Sequence, residues 1–291
     1  MTPLAAGAAS PWAFHAHPDV WALVIALSSG YALALRFLAP GRAPVGRPPA
    51  SVRQQLAFFA GVATLWIGAD WPIHDISEGY LFSVHMVQHL LFTFVAPPLL
   101  LLGMPPWLLR AVLPKGRGMA IVRFFTRPLV ALLLFNAVIA ITHWPSLVDL
   151  SLRVELVHFA IHSVLFVTAT LMWWPVVAPL PELARLSPPA KMLYLFLQSI
   201  LPTVPASFLT FASTPIYRFY ASVPRVWSWL DVVTDQRIAG LIMKLGGGLL
   251  LWSVIAFLFF RWSRAEEGEG EPELSWDDFE RELQAWDMRR S

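Results

Sequence analysis

His85 and His89 lie four residues apart inside the run from Tyr80 to Gly103, YLFSVHMVQHLLFTFVAPPLLLLG, which otherwise has the length and apolarity of a membrane span. On a helix that spacing puts both imidazoles on one face, about 6 Å apart along an axis rising about 1.5 Å per residue. A second pair, His158 and His162, repeats the spacing in SLRVELVHFAIHSVLF. Polar groups are costly in hydrocarbon, so imidazoles kept there face a bundle interior and do chemistry. Two helices that each offer such a pair make a four-imidazole constellation of the kind bundle proteins use to hold a metal ion or a haem.

The chain has no cysteine, which excludes disulfides, thiolate zinc sites and iron–sulfur clusters. Any metal must therefore take imidazole, thioether or oxygen ligands. Met86 beside His85, and Met243 farther on, are thioethers that with imidazole favour copper. Glu155, three residues before His158, or Asp235 as an added ligand would favour zinc or iron. Asp235 also suits two other roles, a cap on the helix that follows it or an outer partner orienting a ligating histidine.

These side chains need a scaffold. At 57% hydrophobic and 14% charged, with several apolar runs of spanning length, the chain reads as an all-α polytopic membrane protein. Seven spans are expected, over about 19–39, 54–71, 80–102, 126–143, 154–177, 190–212 and 237–261. Basic residues collect in alternate connections: Arg36, Arg42, Arg47 and Arg53, then Arg110, Lys115, Arg117, Arg123 and Arg127, then Arg185 and Lys191, then Arg261 and Arg264. By the positive-inside rule this is an N-out, C-in topology. Three regions follow: an extracytoplasmic segment 1–18, a seven-helix transmembrane domain 19–264, and an acidic cytoplasmic tail 265–291. The N-terminus lacks a basic region followed by a short apolar core, so the first span is expected to act as its own targeting signal.

With this topology every histidine falls in the outer third. His143 ends the fourth span, His74 follows the second, and His15 and His17 precede the first. Lys244, two turns into the seventh span, needs a partner such as Glu155 or Asp70 unless it snorkels. Trp71, Trp107, Trp144, Trp173, Trp174 and Trp262 fall near span ends, where amphipathic rings anchor at headgroup level. Pro97, Pro98, Pro202 and Pro205 are expected to kink the third and sixth spans. In the tail, Ser275 and Asp278 have capping-box spacing ahead of an amphipathic pattern of Trp276, Phe279, Leu283 and Trp286. No phosphate-cradling loop, Ser-His-Asp spacing or nucleic-acid signature is present.

Taken together, His85-Met86-Val87-Gln88-His89 with APPLLLLGMP at 96–105, His143-Trp144-Pro145, the His158 to His162 helix running into Trp173-Trp174-Pro175, Pro215-Ile216-Tyr217, and Asp235-Gln236 with Gly240-Leu241-Ile242-Met243 resemble the polytopic CtaG family of cytochrome c oxidase assembly factors. Lys244 departs from that pattern, where an aromatic is expected. The resemblance implies a role in building haem-copper oxidases. Copper would pass to the catalytic subunit from the extracytoplasmic side of a bacterial plasma membrane, and an extracytoplasmic copper chaperone is a further candidate partner. It implicates His85, His89, His143 and His162 first, then His158 and Asp235. Met86 joins the expected copper ligands, and His74, Glu155, Met243 and Lys244 are expected around them. Two other functions fit the residues alone: a seven-span zinc hydrolase with Glu155 or Asp235 as base, and a bis-imidazole haem electron carrier.

Overall fold

The computed structural model describes residues 10–183, 185–268 and 280–281. In chain order its helices are α1 (Pro18–Leu33), α2 (Val52–Ala69), α3 (Ile73–Gly79), α4 (Phe82–Leu90), α5 (Ala96–Gly103), α6 (Pro106–Val112), α7 (Arg117–Phe125) and α8 (Pro128–Thr142). Then come α9 (Pro145–Ser151), α10 (Glu155–Val177), α11 (Pro188–Ile200), α12 (Thr203–Phe211), α13 (Arg218–Ser222), α14 (Val232–Leu241) and α15 (Gly247–Gly268). Short π-helical stretches extend α1 (Ala34–Leu38), join α4 to α5 (Leu91–Val95) and join α14 to α15 (Ile242–Gly246). No strand occurs among the described residues.

Helices stand at all seven expected span positions. Five are long and apolar enough to cross a bilayer: Pro18–Leu38, Phe82–Gly103, Glu155–Val177, Pro188–Phe211 and Val232–Glu267. At the second and fourth positions only bent pairs are both long and apolar enough, α2 with α3 at 41° and α7 with α8 at 72°. The described residues thus carry five such helices, or up to seven if each bent pair is one span, and several apolar helices make this a multi-pass membrane protein.

Several prolines start helices here. Pro18, Pro106, Pro128, Pro145 and Pro188 each occupy the first helical position, where the missing N–H would have had no intrahelical partner. Within the third span Pro97 cannot donate to the carbonyl of Thr93, and the indole Nε1 of Trp173 donates to that oxygen instead, at 2.9 Å. The expected kink is therefore a π-helical stretch, Leu91–Val95, whose freed carbonyl ties α10 to the third span.

Glycines let α2 lie against this span. A Cβ on Gly103 would fall 2.5 Å from the Phe58 backbone nitrogen, one on Gly61 2.8 Å from Leu100, and one on Gly68 2.6 Å from Phe92. The pairing of 58 with 103 and 68 with 92 makes the two elements antiparallel. Tyr31 stacks on Phe58 at 3.9 Å between ring centroids and donates its hydroxyl to the Gly103 carbonyl. The main core gathers Phe82, Met86, Phe135, Met172, Trp173 and Leu195.

Three tryptophans expected at the membrane surface are internal. Trp107, Trp173 and Trp174 are buried, and Trp107 donates its indole N–H to the Pro49 carbonyl. The indoles of Trp107 and Trp173 are hydrogen-bonded and act as packing elements; among the expected anchors Trp144 alone is exposed. The tail helix expected over 275–286 lies, residues 280 and 281 apart, outside the described residues.

Candidate metal centre

Helix α4 presents His85 and His89 with ring centroids 4.3 Å apart, and α10 presents His158 and His162 with centroids 4.1 Å apart. The two helices meet so that Nε2 of His89 lies 3.2 Å from Nε2 of His162. The ligand atoms of His85, His89 and His162 all fall within 4.8 Å of one another, forming, among the described residues, the one such group of three or more. His85 is buried and the other two partly so.

His143 caps the C-terminus of α8, its ring centroid 6.0 Å from that of His89. Its Nδ1 lies 2.8 Å from the Ile139 carbonyl, which can only accept, so the proton sits on Nδ1 and the Nε2 lone pair is bare. That Nε2, like Nδ1 of His85, is buried without a hydrogen-bond partner. Buried polar atoms are rarely left so, and a cation between these rings would satisfy them. They line a cavity of about 10 Å3 with Met86, Phe82 and Ile161, close to the room one water-sized particle needs, roughly 10–15 Å3. A neighbouring cavity of about 40 Å3 is lined by Met86, His89, His143, Gln198, Met243 and Lys244. Imidazoles, a nearby thioether and room for one small ion fit a soft or borderline metal.

Asp235 holds α4 in place without touching an imidazole. Its fully buried carboxylate accepts from the backbone N–H of Phe82 at 2.8 Å and of Ser83 at 3.1 Å, at the start of α4. A carboxylate at that helix end satisfies orphan donors and complements the helix dipole. The cap on its own helix is Asp231, whose carboxylate accepts from Val233 and Thr234. In place of the roles expected for Asp235 the structure gives another, a cap supplied across 153 residues of chain.

Glu155 is the first residue of α10 and projects outward, exposed, so it does not share the buried face of His158. Lys244 lines the larger cavity, but neither expected carboxylate partner reaches it. Asp70 accepts instead from the indoles of Trp21 and Trp66 and from the Trp71 backbone, and no carboxylate among the described residues stands at ion-pair distance from Lys244. Met243 is buried in the cavity wall beside Lys244.

His158 and His74 converge on a residue that sequence reasoning missed. Oε1 of Glu78 lies 2.9 Å from Nε2 of His158 and 3.1 Å from Nδ1 of His74. His74 and Glu78 are four apart, the spacing already read for the histidine pairs, and it passes unnoticed only if 73–79 is taken as a loop. Gln88, fully buried, donates to the Gly68 carbonyl, lies 3.3 Å from Nδ1 of His74, and accepts from Ser77. It belongs to the HMVQH stretch, where alternation with the histidines concealed its own role.

Against known proteins, the sequence model of the family described as cytochrome c oxidase caa3 assembly factor (Caa3_CtaG) matches residues 29–265. Uncharacterized proteins of Mycobacterium bovis and Mycobacterium tuberculosis are each 28% identical over 243 residues, covering 77% of this chain and 35% of theirs. One of Mycobacterium leprae is 26% identical over the same length. The chain spans about a third of the length of these curated relatives. No solved structure matches.

Proposed function

The chain belongs to the family of cytochrome c oxidase caa3 assembly factors, and from that premise we propose that it binds copper as cargo and passes it to the catalytic subunit of a haem-copper oxidase. The observation that carries this is the convergence of His85, His89 and His162 from two helices, with the bare Nε2 of His143 and the thioether of Met86 beside them. Cu(I) takes few nitrogen and sulfur ligands and exchanges them readily, as a carrier requires. Orphaned ring nitrogens are preformed lone pairs for it. The protein would work in a bacterial plasma membrane, N-terminus outward, with the histidine end facing the compartment where an extracytoplasmic chaperone could supply the metal.

A zinc hydrolase needs a carboxylate or an equivalent base at the metal-bound water. Among the described residues no carboxylate joins the three imidazoles, Glu155 is exposed, and Asp235 is committed to the α4 backbone. A bis-imidazole haem needs space for a macrocycle, and cavities of about 10 and 40 Å3 are far smaller than that.

The test is a strain lacking the gene, complemented with wild type or with His162→Ala. The expected result is that the variant leaves the oxidase subunits present but short of copper and inactive, and that copper added to the medium restores activity partly. Full oxidase activity with His162→Ala would overturn the reading.

A further inference from the structure

We infer that Glu78, His74 and His158, extended outward by Asp75 and His17, form a second cation site that receives the metal and hands it to the three-imidazole seat. This rests on the reading of that seat as a metal centre and adds a separate site with its own ligands.

One carboxylate oxygen of Glu78 lies close to two imidazoles from different elements, His74 on α3 and His158 on α10. The His158 side chain is 9% exposed, and neither of its ring nitrogens makes a hydrogen bond, although Nε2 is only 2.9 Å from the Glu78 oxygen. That oxygen also has no hydrogen-bond donor. One carboxylate oxygen set between two imidazole nitrogens is a donor set that a cation can share. The Gln88 amide, 3.3 Å from His74, and the Ser77 hydroxyl hold α3 against α4 and keep this geometry.

Outward from the cluster, the His17 ring lies 4.8 Å from that of His74, and Asp75 reaches both His17 at 3.2 Å and His15 at 3.4 Å. The His15 side chain is 52% exposed, so the series runs from solvent to core. Inward, the His158 ring lies 4.1 Å from that of His162, which contacts His89. Successive rings are close enough for an ion to gain its next ligand before losing its last. A bare cation in a low-dielectric interior is prohibitively costly, and such overlap avoids it. The ligand types are graded as well. Carboxylates near the surface offset the charge of the entering cuprous ion, whereas the inner seat offers imidazoles with the Met86 thioether beside them, a softer set that holds the same ion more tightly.

The experiment uses the full-length protein in detergent, titrated with Cu(I) supplied from a chromophoric chelator, with stopped-flow loading followed in parallel. Wild type is expected to take up two ions of different affinity. The double variant His89→Ala with His162→Ala should keep only the weaker ion, and adding Glu78→Gln should abolish it. In an otherwise wild-type background His158→Gln should slow filling of the tighter site at least tenfold. His74→Gln serves as an independent variant should His158→Gln not fold. Loss of every ion in the His89/His162 double variant, or unchanged loading rates in both single variants, would overturn the second site and leave the proposed function standing. A Glu78-dependent ion with no tighter site would do the reverse.

Discussion

The Nε2 atoms of His89 and His162 stand 3.2 Å apart on α4 and α10. Two imidazole nitrogens at this separation share a proton or, both deprotonated, a metal. The second state makes each ring a ligand, so losing either should weaken Cu(I) binding by more than the roughly 10–100-fold that follows loss of an outer partner. His89→Ala and His162→Ala should act alike, and the double variant should cost little more than either single one. Competition with a Cu(I) chelator measures this; additive losses would mean the two rings serve separate ions.

Asp235 predicts a defect in stability before one in binding. Asp235→Ala leaves the Phe82 and Ser83 N–H groups buried without acceptors, and such orphans cost about 1–3 kcal/mol. Asp235→Asn keeps one acceptor oxygen but loses the charge that complements the helix end, so it should lie between wild type and Asp235→Ala. Thermal unfolding in detergent is expected to fall in that order, with metal stoichiometry unchanged once the protein is folded. A variant as stable as wild type would show that the cap contributes nothing.

Much of this architecture is readable from periodicity, because a span must be apolar over a fixed length and a pair four apart must share a face. That reasoning finds the helices of His85, His89, His158 and His162 and the end position of His143. It misses what depends on contacts between distant segments. The acceptor for the α4 N-terminus comes from residue 235, and the donor to the Thr93 carbonyl comes from Trp173. Local pattern assigns Trp107 and Trp173 to the membrane surface because each stands near a span end, and only tertiary packing buries them. Glu78 was invisible for a different reason: the short helix α3 lies beyond the apolar run, where polarity reads as a loop.

The contact between α2 and the third span should tolerate no side chain at Gly103. A methyl there would sit 2.5 and 2.6 Å from Phe58 backbone atoms, which cannot swing aside as a side chain can. Overpacking of this kind costs about 1–3 kcal/mol. Gly79→Ala, where the added methyl meets nothing within 4 Å, should be neutral or slightly stabilising. Melting temperatures of the two variants give the comparison, and equal values would refute the close approach.

At the opposite end, Arg110 donates to both carboxylate oxygens of Glu182, at 2.6 and 3.0 Å, joining α6 to the connection before α11. The hydrogen bond from Arg110 holds the Glu182 carboxyl below its usual 4.5. A lowered folded-state value means the pair stabilises above the unfolded value, and that contribution is lost as pH falls through the lowered one. Both side chains are more than 40% exposed, so solvent screening leaves about 0–1 kcal/mol. Arg110→Ala should therefore shift unfolding only slightly at neutral pH, and less still in high salt, with copper binding intact. A large loss would mean the pair is shielded from solvent.

Trp173 offers the sharpest test of how proline shaped the span that carries His85 and His89. Pro97 removes the donor that would have paired with the Thr93 carbonyl, and the Trp173 indole replaces it from α10, the helix that carries His162. Trp173→Phe keeps an aromatic ring but no donor, so the carbonyl is left buried and unpaired at a cost of about 1–3 kcal/mol. Because Thr93 follows His89 by one turn and its hydroxyl donates to the His89 carbonyl, the freed backbone should also loosen the His89 to His162 contact. Trp173→Phe should thus lower both the melting temperature and Cu(I) affinity. The added substitution Pro97→Ala, which restores a backbone donor, should recover much of each. Recovery of stability without affinity would separate the two effects and show that the indole supports the fold alone.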